Sequence, residues 1–340
     1  HRLFLIDGSG FSMPDTPELQ KHFGQPPGQA AGCGFPTAHW LALVHFGSGL
    51  FQKVITGPLQ KSELSGVSQM HPELEAGDVL LGDRAFSSYG HVALLMVRSL
   101  HGIFRARAKL IVDFTPGRPH AIPGKGKSGC QPGRPRSKWI SSAGPLDQIV
   151  EWFRPVEVPA WLTADDWTAL PATLRIRIVR YTIARPGFRV RTVTLLTTLL
   201  DPERYPQGKL AQAYGLRWTV ETCLKHLKTT MKMDVLRCLT VHGVQKELTM
   251  FLLAYNLVRM IVLGAAQRQG VPPERISFID ALRWLATAQP GDALPNLVII
   301  SQRPGRVEPR VRKRRPKDFP VMKKPRSVLK QALLAQQLKS

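Results

Sequence analysis

Near the start of the chain, two short apolar runs each stop at an aspartate. RLFLID ends at Asp7 before Gly8-Ser9-Gly10, and DVLLGD ends at Asp83. Short apolar runs bounded by turn residues read as buried strands. Such strands must be covered on both faces, so the chain is confined to layered folds in which strand ends carry the polar chemistry. Between the two runs, residues 38–46 (AHWLALVHF) and 50–57 (LFQKVITG) flank Gly47-Ser48-Gly49, a strand–turn–strand signal. Residues 62–75 are compatible with a helix. Residues 89–99 (YGHVALLMVRS) read as a helix and 102–108 (GIFRARA) as another strand. The order β-β-β-α-β-α-β predicts an α/β domain with a mixed sheet.

The pattern then breaks. Residues 114–137 are rich in Gly, Pro and basic side chains and read as an extended cationic loop. Strand-like runs follow at 148–154, 173–182 and 188–199. Two of them alternate Arg with apolar residues, the period-2 pattern of a half-buried sheet with a basic outer face. From Gly208 the period becomes helical: a long helix is expected over 208–230, a second over 241–267 and a third over 277–288. Residues 303–330 form a basic stretch that reads as a solvated tail able to touch DNA loosely. The expected organisation is 1–110 as the first part of a catalytic domain, 111–205 as a β-rich insertion, 206–290 as the helical remainder of that domain, and 291–340 as a basic C-terminal tail.

Charge narrows the partner. The 340 residues carry 47 Lys+Arg against 24 Asp+Glu, a net +23. That excess repels itself unless a polyanion neutralises it, and nucleic acid is the natural one. A ribosomal or membrane-surface role is the other reading of charge alone. No apolar stretch reaches about 18 uninterrupted residues, so no membrane span is expected. Cys33, Cys130, Cys223 and Cys238 form no CxxC pair, which fits a reduced, cytoplasmic setting. No signal peptide is expected. It opens at His1 rather than Met and enters an apolar run at once, which reads as a fragment with an upstream part missing.

Phosphoryl transfer on DNA needs an activated nucleophile and a stabilised leaving oxygen, and two divalent ions about 3.5–4 Å apart supply both. Mg²⁺ takes oxygen ligands. Asp7 and Asp83 are candidates at strand ends, although either also suits a turn or a helix cap. The third candidate is Glu221. Tyr214, Arg217, Trp218, Glu221, Lys225 and Lys228 lie at spacings that gather them on one helical stripe. An exposed Arg217–Glu221–Lys225 salt-bridge ladder accounts for the charges. A DNA-facing stripe accounts for the rings too: an acid for metal, cations for phosphate, rings for bases.

Tyr214-x2-Arg217-x3-Glu221-x6-Lys228 resembles the Y-(2)-R-(3)-E-(6)-K signature of the insertion-sequence-four group of bacterial DDE transposases. IDGSGFSMPDTPE around Asp7, DVLLGDRAFSSY around Asp83, and ELTMFLLAYNLVR are similar to the same group, so the resemblance covers about residues 1–265. It implies a ribonuclease-H-like mixed sheet flanked by helices, with a β insertion between the second Asp and the Glu. It implies Asp7, Asp83 and Glu221 as metal ligands for Mg²⁺, two ions, with Mn²⁺ the alternative. It implies that Tyr214, Arg217, Lys225 and Lys228 hold phosphates at the transposon end and that Trp218 lies near a displaced base. Arg84 is a further phosphate contact, and Trp152 or Trp161 the candidate to stack on a flipped base. The N-terminal DNA-binding region of many members is absent from the sequence.

The expected activity is cut-and-paste DNA transposition by a dimer on DNA, in the bacterial cytoplasm at the nucleoid. A hydrolytic nuclease on the same fold and a catalytically inactive DNA-binding remnant are the alternatives. Gly126-Lys127-Ser128 resembles the end of a phosphate-binding loop, but Ala121 stands where its first Gly is needed. Asp15 is expected to cap a helix and Asp78 to start its strand.

Overall fold

The computed structural model describes residues 1–58, 64–121, 133–183, 191–301 and 322–337. In chain order the elements are β1 (Leu3–Ser12), α1 (Pro17–Phe23), β2 (Thr37–His45), β3 (Phe51–Pro58), α2 (Leu64–Met70), β4 (Val79–Gly82), α3 (Tyr89–Val97), β5 (His101–Arg105), β6 (Ser137–Gly144), β7 (Asp147–Phe153), α4 (Ala164–Ala169), β8 (Thr173–Ile183), β9 (Arg191–Thr197), α5 (Gln207–Gly215), α6 (Trp218–Lys225), α7 (Val241–Gln269), α8 (Phe278–Thr287) and α9 (Arg326–Gln337).

Among the described residues, nine strands form one sheet in the order β3-β2-β1-β4-β5-β9-β8-β7-β6. β1, β4 and β5 are parallel neighbours, while β5, β9, β8, β7 and β6 pair antiparallel. The parallel β1, β4 and β5 and the antiparallel pairs beyond them make a mixed sheet, as the α/β reading expects. The strands β6 to β9, which the sequence assigns to an insertion, continue that sheet through the β5–β9 pair instead of closing a sheet of their own. Arg177 and Asp147 sit inside it on facing strands: the guanidinium makes a two-pronged ion pair with the carboxylate and also donates to Tyr205 O at 2.8 Å. Period 2 puts Arg175 and Arg177 on the same face, yet Arg175 is exposed while Arg177 is buried against Asp147, so the expected basic outer face fails at Arg177.

The chain divides into two compact units. The first comprises His1–Asp7, Leu41–Val54 and Ser62–Cys223. Its core is built from Leu5, Ile6, Leu80, Leu81, Phe86, Val92, Leu95, Phe104 and Leu196. The parallel register inside it pairs Leu3 with Val79 and Leu5 with Leu81. The second comprises Gly8–Trp40, Ile55–Lys61 and Leu224–Ser340. There α7 packs on α8 and α1, burying Val244, Leu248, Tyr255, Val258 and Val262. By length and composition alone α7 is apolar enough to cross a membrane, a possibility that the uninterrupted-run criterion passed over. Its Thr240 cap accepts from Gly243 N, and Gly270 closes it in the left-handed region at φ 64°.

Three expectations change. The single helix over 208–230 is broken. At the junction, Leu216, Arg217, Thr219 and Val220 all donate to the carbonyl three residues back, the tighter 3₁₀ pattern, after Gly215. Residues His226–Thr230 then open into a π-turn. α6 is therefore a separate two-turn helix carrying Glu221. Secondly, Thr16, not Asp15, caps α1 by accepting from Leu19 N; Asp15 instead accepts from Gln20 and pairs with Arg326. Thirdly, the basic tail is not wholly irregular, since residues 326–337 form α9, and Arg326 lies 3.6 Å over the Phe35 ring. The densest basic run, at 311–315, and the Gly126-Lys127-Ser128 motif lie outside the described residues, as does Cys130.

Candidate active site

Asp83 directly follows β4, whereas Asp7 lies within β1, which runs on to Ser12, so the apolar run stops at Asp7 but the strand does not. Each lies two residues beyond the register pair Leu5–Leu81, so the two acids occupy matching positions in line with neighbouring strands. Neighbouring strands run about 4.8 Å apart, the scale on which two carboxylates can share ions. Asp83 also caps the 3₁₀ turn Arg84–Phe86, its Oδ1 accepting from Ala85 N at 2.7 Å. That cap fixes the carboxylate's orientation, as the turn-residue reading expects. Gly82 makes the turn fit: a Cβ there would come within 2.8 Å of Phe86 and 3.0 Å of Ile6.

Glu221, on α6, is linked to Asp7 through one guanidinium. Its Oε1 accepts from Arg217 Nη2 at 2.8 Å, and Arg217 Nη1 lies 3.7 Å from Asp7 Oδ2. One guanidinium therefore stands between two of the three carboxylates. Its side chain is 12% exposed, against 43% for Glu221 and 20% for Asp7. Burial works against the Arg217 charge, yet its hydrogen bond to Glu221, the neighbouring Tyr214 oxygen and the charges of Glu221 and Asp7 hold its pKa above the ordinary value. Tyr214 is bonded to Arg217 in turn. Burial raises the Tyr214 pKa, assisted by the Asp83 charge and opposed by Arg217 and Arg105, so the phenol keeps its proton. Trp218 is 54% exposed with the Arg217 guanidinium 5.1 Å from its ring centroid. Of the expected ladder, the Arg217–Glu221 rung is present.

Arg84 is exposed, in the turn after Asp83. Lys225 is exposed on α6, one turn past Glu221. Lys228 lies in the π-turn of the second unit, where its ammonium donates to Ser9 Oγ at 3.2 Å and Gly10 O at 2.8 Å and sits over the Phe11 ring. Trp152 is buried edge-on against Tyr89, as a core side chain that offers no face to a base, and Trp161 packs beside Gly90. Arg118, in the cationic loop, is buried and donates to Asp113 O, Ser137 O and Ser137 Oγ, which makes it a brace.

Sequence reasoning passed over Arg105 and Arg107. Arg107 donates to Ala85 O at 2.9 Å; burial lowers its pKa and the Asp83 charge opposes that. Arg105 acts electrostatically on Tyr214. The signal was the FRARA run itself, with cations continuing the strand line past its apolar end.

The donor set is all carboxylate, which fits a hard divalent cation. Among the described residues, no three His, Cys, Asp or Glu groups stand close enough together to hold a metal. Asp7 and Glu221 share the Arg217 guanidinium as a cation.

Residues 1–257 match the family described as Transposase DDE domain. The chain is 26% identical over 341 residues to transposase InsG of insertion sequence element IS4 from Escherichia coli (strain K12), covering 95% of this chain and 70% of that protein. A solved structure, the piggyBac transposase synaptic complex with hairpin DNA, aligns with a TM-score of 0.46 at 11% identity, covering 84% of this chain and about half, 51%, of that one. The family match defines the class, a DDE-type enzyme. This chain belongs to the DDE transposase family. Divalent-metal dependence and DNA as partner come with the family.

Proposed function

We propose that the chain cuts DNA at the ends of an insertion sequence and joins the freed 3′ ends to a target, in the cut-and-paste manner, as a homodimer on DNA in the bacterial cytoplasm. One observation carries the reading: Asp7 and Asp83 stand at matching register in line with adjacent parallel strands, and Glu221 reaches the guanidinium that Asp7 also faces.

Asp7, Asp83 and Glu221 would hold two Mg²⁺ ions, or Mn²⁺ in their place. When bound, such ions activate the attacking oxygen and neutralise the leaving one. The protein's own contribution is positional. The sheet fixes Asp7 within β1 and Asp83 just past β4, and the cap on Ala85 N keeps Asp83 from rotating. Tyr214, protonated, donates to a phosphate oxygen. Arg217 offers a two-pronged fork to the same backbone. Trp218 presents its exposed ring to a base displaced from the stack. Arg84, Lys225 and the remaining donor of Lys228 add phosphate contacts, and Arg105 and Arg107 extend the cationic rim. Residues 1–110 and 206–290 serve as the catalytic part, 111–205 as the insertion and 291–340 as a basic tail.

The test is cleavage of labelled DNA carrying the element's own ends, with Mg²⁺, by the unaltered chain and by Asp83→Ala. Cutting and joining by the first, and binding without cutting by the second, is the expected result. Cutting without joining would move the assignment to a hydrolytic nuclease. Binding without cutting by both would move it to a DNA-binding remnant.

A further inference from the structure

We infer that Arg217 is a counter-ion gate: it holds Asp7 and Glu221 together and must be handed over to a DNA phosphate before a divalent ion can use both carboxylates. The inference rests on the reading of these acids as metal ligands, and it gives Arg217 a positioning role beyond that of a phosphate contact.

The geometry makes the competition direct. Arg217 donates to Glu221 Oε1 at 2.8 Å and lies 3.7 Å from Asp7 Oδ2. An ionised carboxylate has only acceptor sites, and a hard cation would use the same lone pairs. The guanidinium is almost enclosed, 12% exposed, so the pairing is less screened than a surface bridge. Four partners hold it: Glu221, Asp7, the Tyr214 phenol and the Trp218 face. The break between α5 and α6 lets α6 start afresh at Trp218, with Arg217 immediately before it and one helical turn ahead of Glu221.

A DNA phosphate could release the guanidinium. Arg pairs with phosphate through two parallel hydrogen bonds, so the phosphate can replace the carboxylates as partner without leaving the charge unpaired. Trp218, half exposed beneath the guanidinium, lies where a nucleotide would arrive. Since linkage is reciprocal, DNA that draws Arg217 away raises metal affinity, and metal raises DNA affinity by the same factor. The device would keep the enzyme from loading metal, and from cutting, before an end is in place.

The experiment measures Mn²⁺ binding to the full chain by the loss of the free-ion paramagnetic resonance signal. Arg217→Gln keeps a polar side chain of similar length, and Arg217→Lys keeps the charge; thermal melting checks that each variant folds. Without DNA, Arg217→Gln should bind Mn²⁺ about tenfold more tightly than the unaltered chain, with Arg217→Lys nearer to it; couplings of about 5–150-fold are usual. A short duplex should tighten Mn²⁺ binding by the unaltered chain more than by Arg217→Gln. Unchanged or weaker binding by Arg217→Gln, while Asp7→Asn and Glu221→Gln lose binding, overturns the gate and leaves the ligand assignment standing. An equal effect of the duplex on both chains overturns the handover. Wild-type binding by Asp7→Asn and Glu221→Gln overturns the ligand assignment, and the gate with it.

Discussion

His71 and His91 stack inside the first unit with ring centroids 5.4 Å apart, and three of their four ring nitrogens have no hydrogen-bond partner. The fourth, His91 Nδ1, faces Phe86 O at 2.7 Å; a carbonyl only accepts, so Nδ1 carries the proton. Burial pushes His71 down to about 3, with the neighbouring His91 and Arg98 charges adding to it. Burial pushes His91 down to about 4, the bond to Phe86 opposing and Arg107 assisting. Both rings are neutral when folded, whereas the unfolded chain takes up protons below about pH 6.5. The unfolded state thus binds more protons between about pH 4 and 6.5, and stability falls as pH drops through that window. The loss should be on the order of 2 kcal/mol by pH 5 for each buried ring. Urea midpoints at pH 5 and pH 7 measure it, and His91→Phe should flatten the difference; an unaltered difference would show that the pair carries no such penalty. Neither ring was singled out in the sequence, since a lone histidine gives no sign of its burial.

At the scale of elements, the turn after β4 is the tightest feature of the site. Gly82 precedes Asp83, and a methyl there would meet Phe86 and Ile6 at 2.8 and 3.0 Å. Gly82→Ala should destabilise by about 1–3 kcal/mol through overpacking, and it should depress DNA cleavage by moving the capped carboxylate. Gly208→Ala is the control: nothing lies within 4 Å of the added methyl at the start of α5. A helical Gly-to-Ala change there should be neutral or stabilising by up to about 1 kcal/mol. Equal midpoints and equal cleavage for the two variants would refute the role given to Gly82. The existence of β4 and its terminal acid could be read from DVLLGD, but the packing of Phe86 behind the glycine could not, because the contact is made by a turn whose geometry depends on Ile6 across the sheet.

For the whole molecule, the +23 charge governs how the chain meets a polyanion. DNA affinity should fall steeply with salt, the logarithm of the constant declining linearly with the logarithm of salt concentration. Lys225 is exposed and lies one turn past Glu221. Lys225→Ala should weaken binding about equally across DNA sequences and reduce the salt slope by about 1. Filter binding at several salt concentrations reads both, and an unchanged slope would remove Lys225 from the phosphate contacts. Charge also misleads at this scale. Arg118 and Arg177 count toward the excess, yet both are buried and engaged by carbonyls or by Asp147.

Sequence alone determined the aspartates that close two apolar runs, the alternation of strands and helices, and the Tyr214–Arg217–Glu221–Lys228 spacing. These are local properties: apolar periodicity and residue identity at short offsets follow directly from strand and helix geometry. Tertiary structure alone decided that β6 to β9 extend the central sheet, that Trp152 is core, that Arg217 stands between Asp7 and Glu221, and that Asp7 and Asp83 share a register. Strand pairing is made by backbone groups that are the same in every residue, so no side chain names its partner strand. The course of α5 into α6 turns on a few hydrogen bonds switching from the fourth carbonyl back to the third, and periodicity reads straight through such a break.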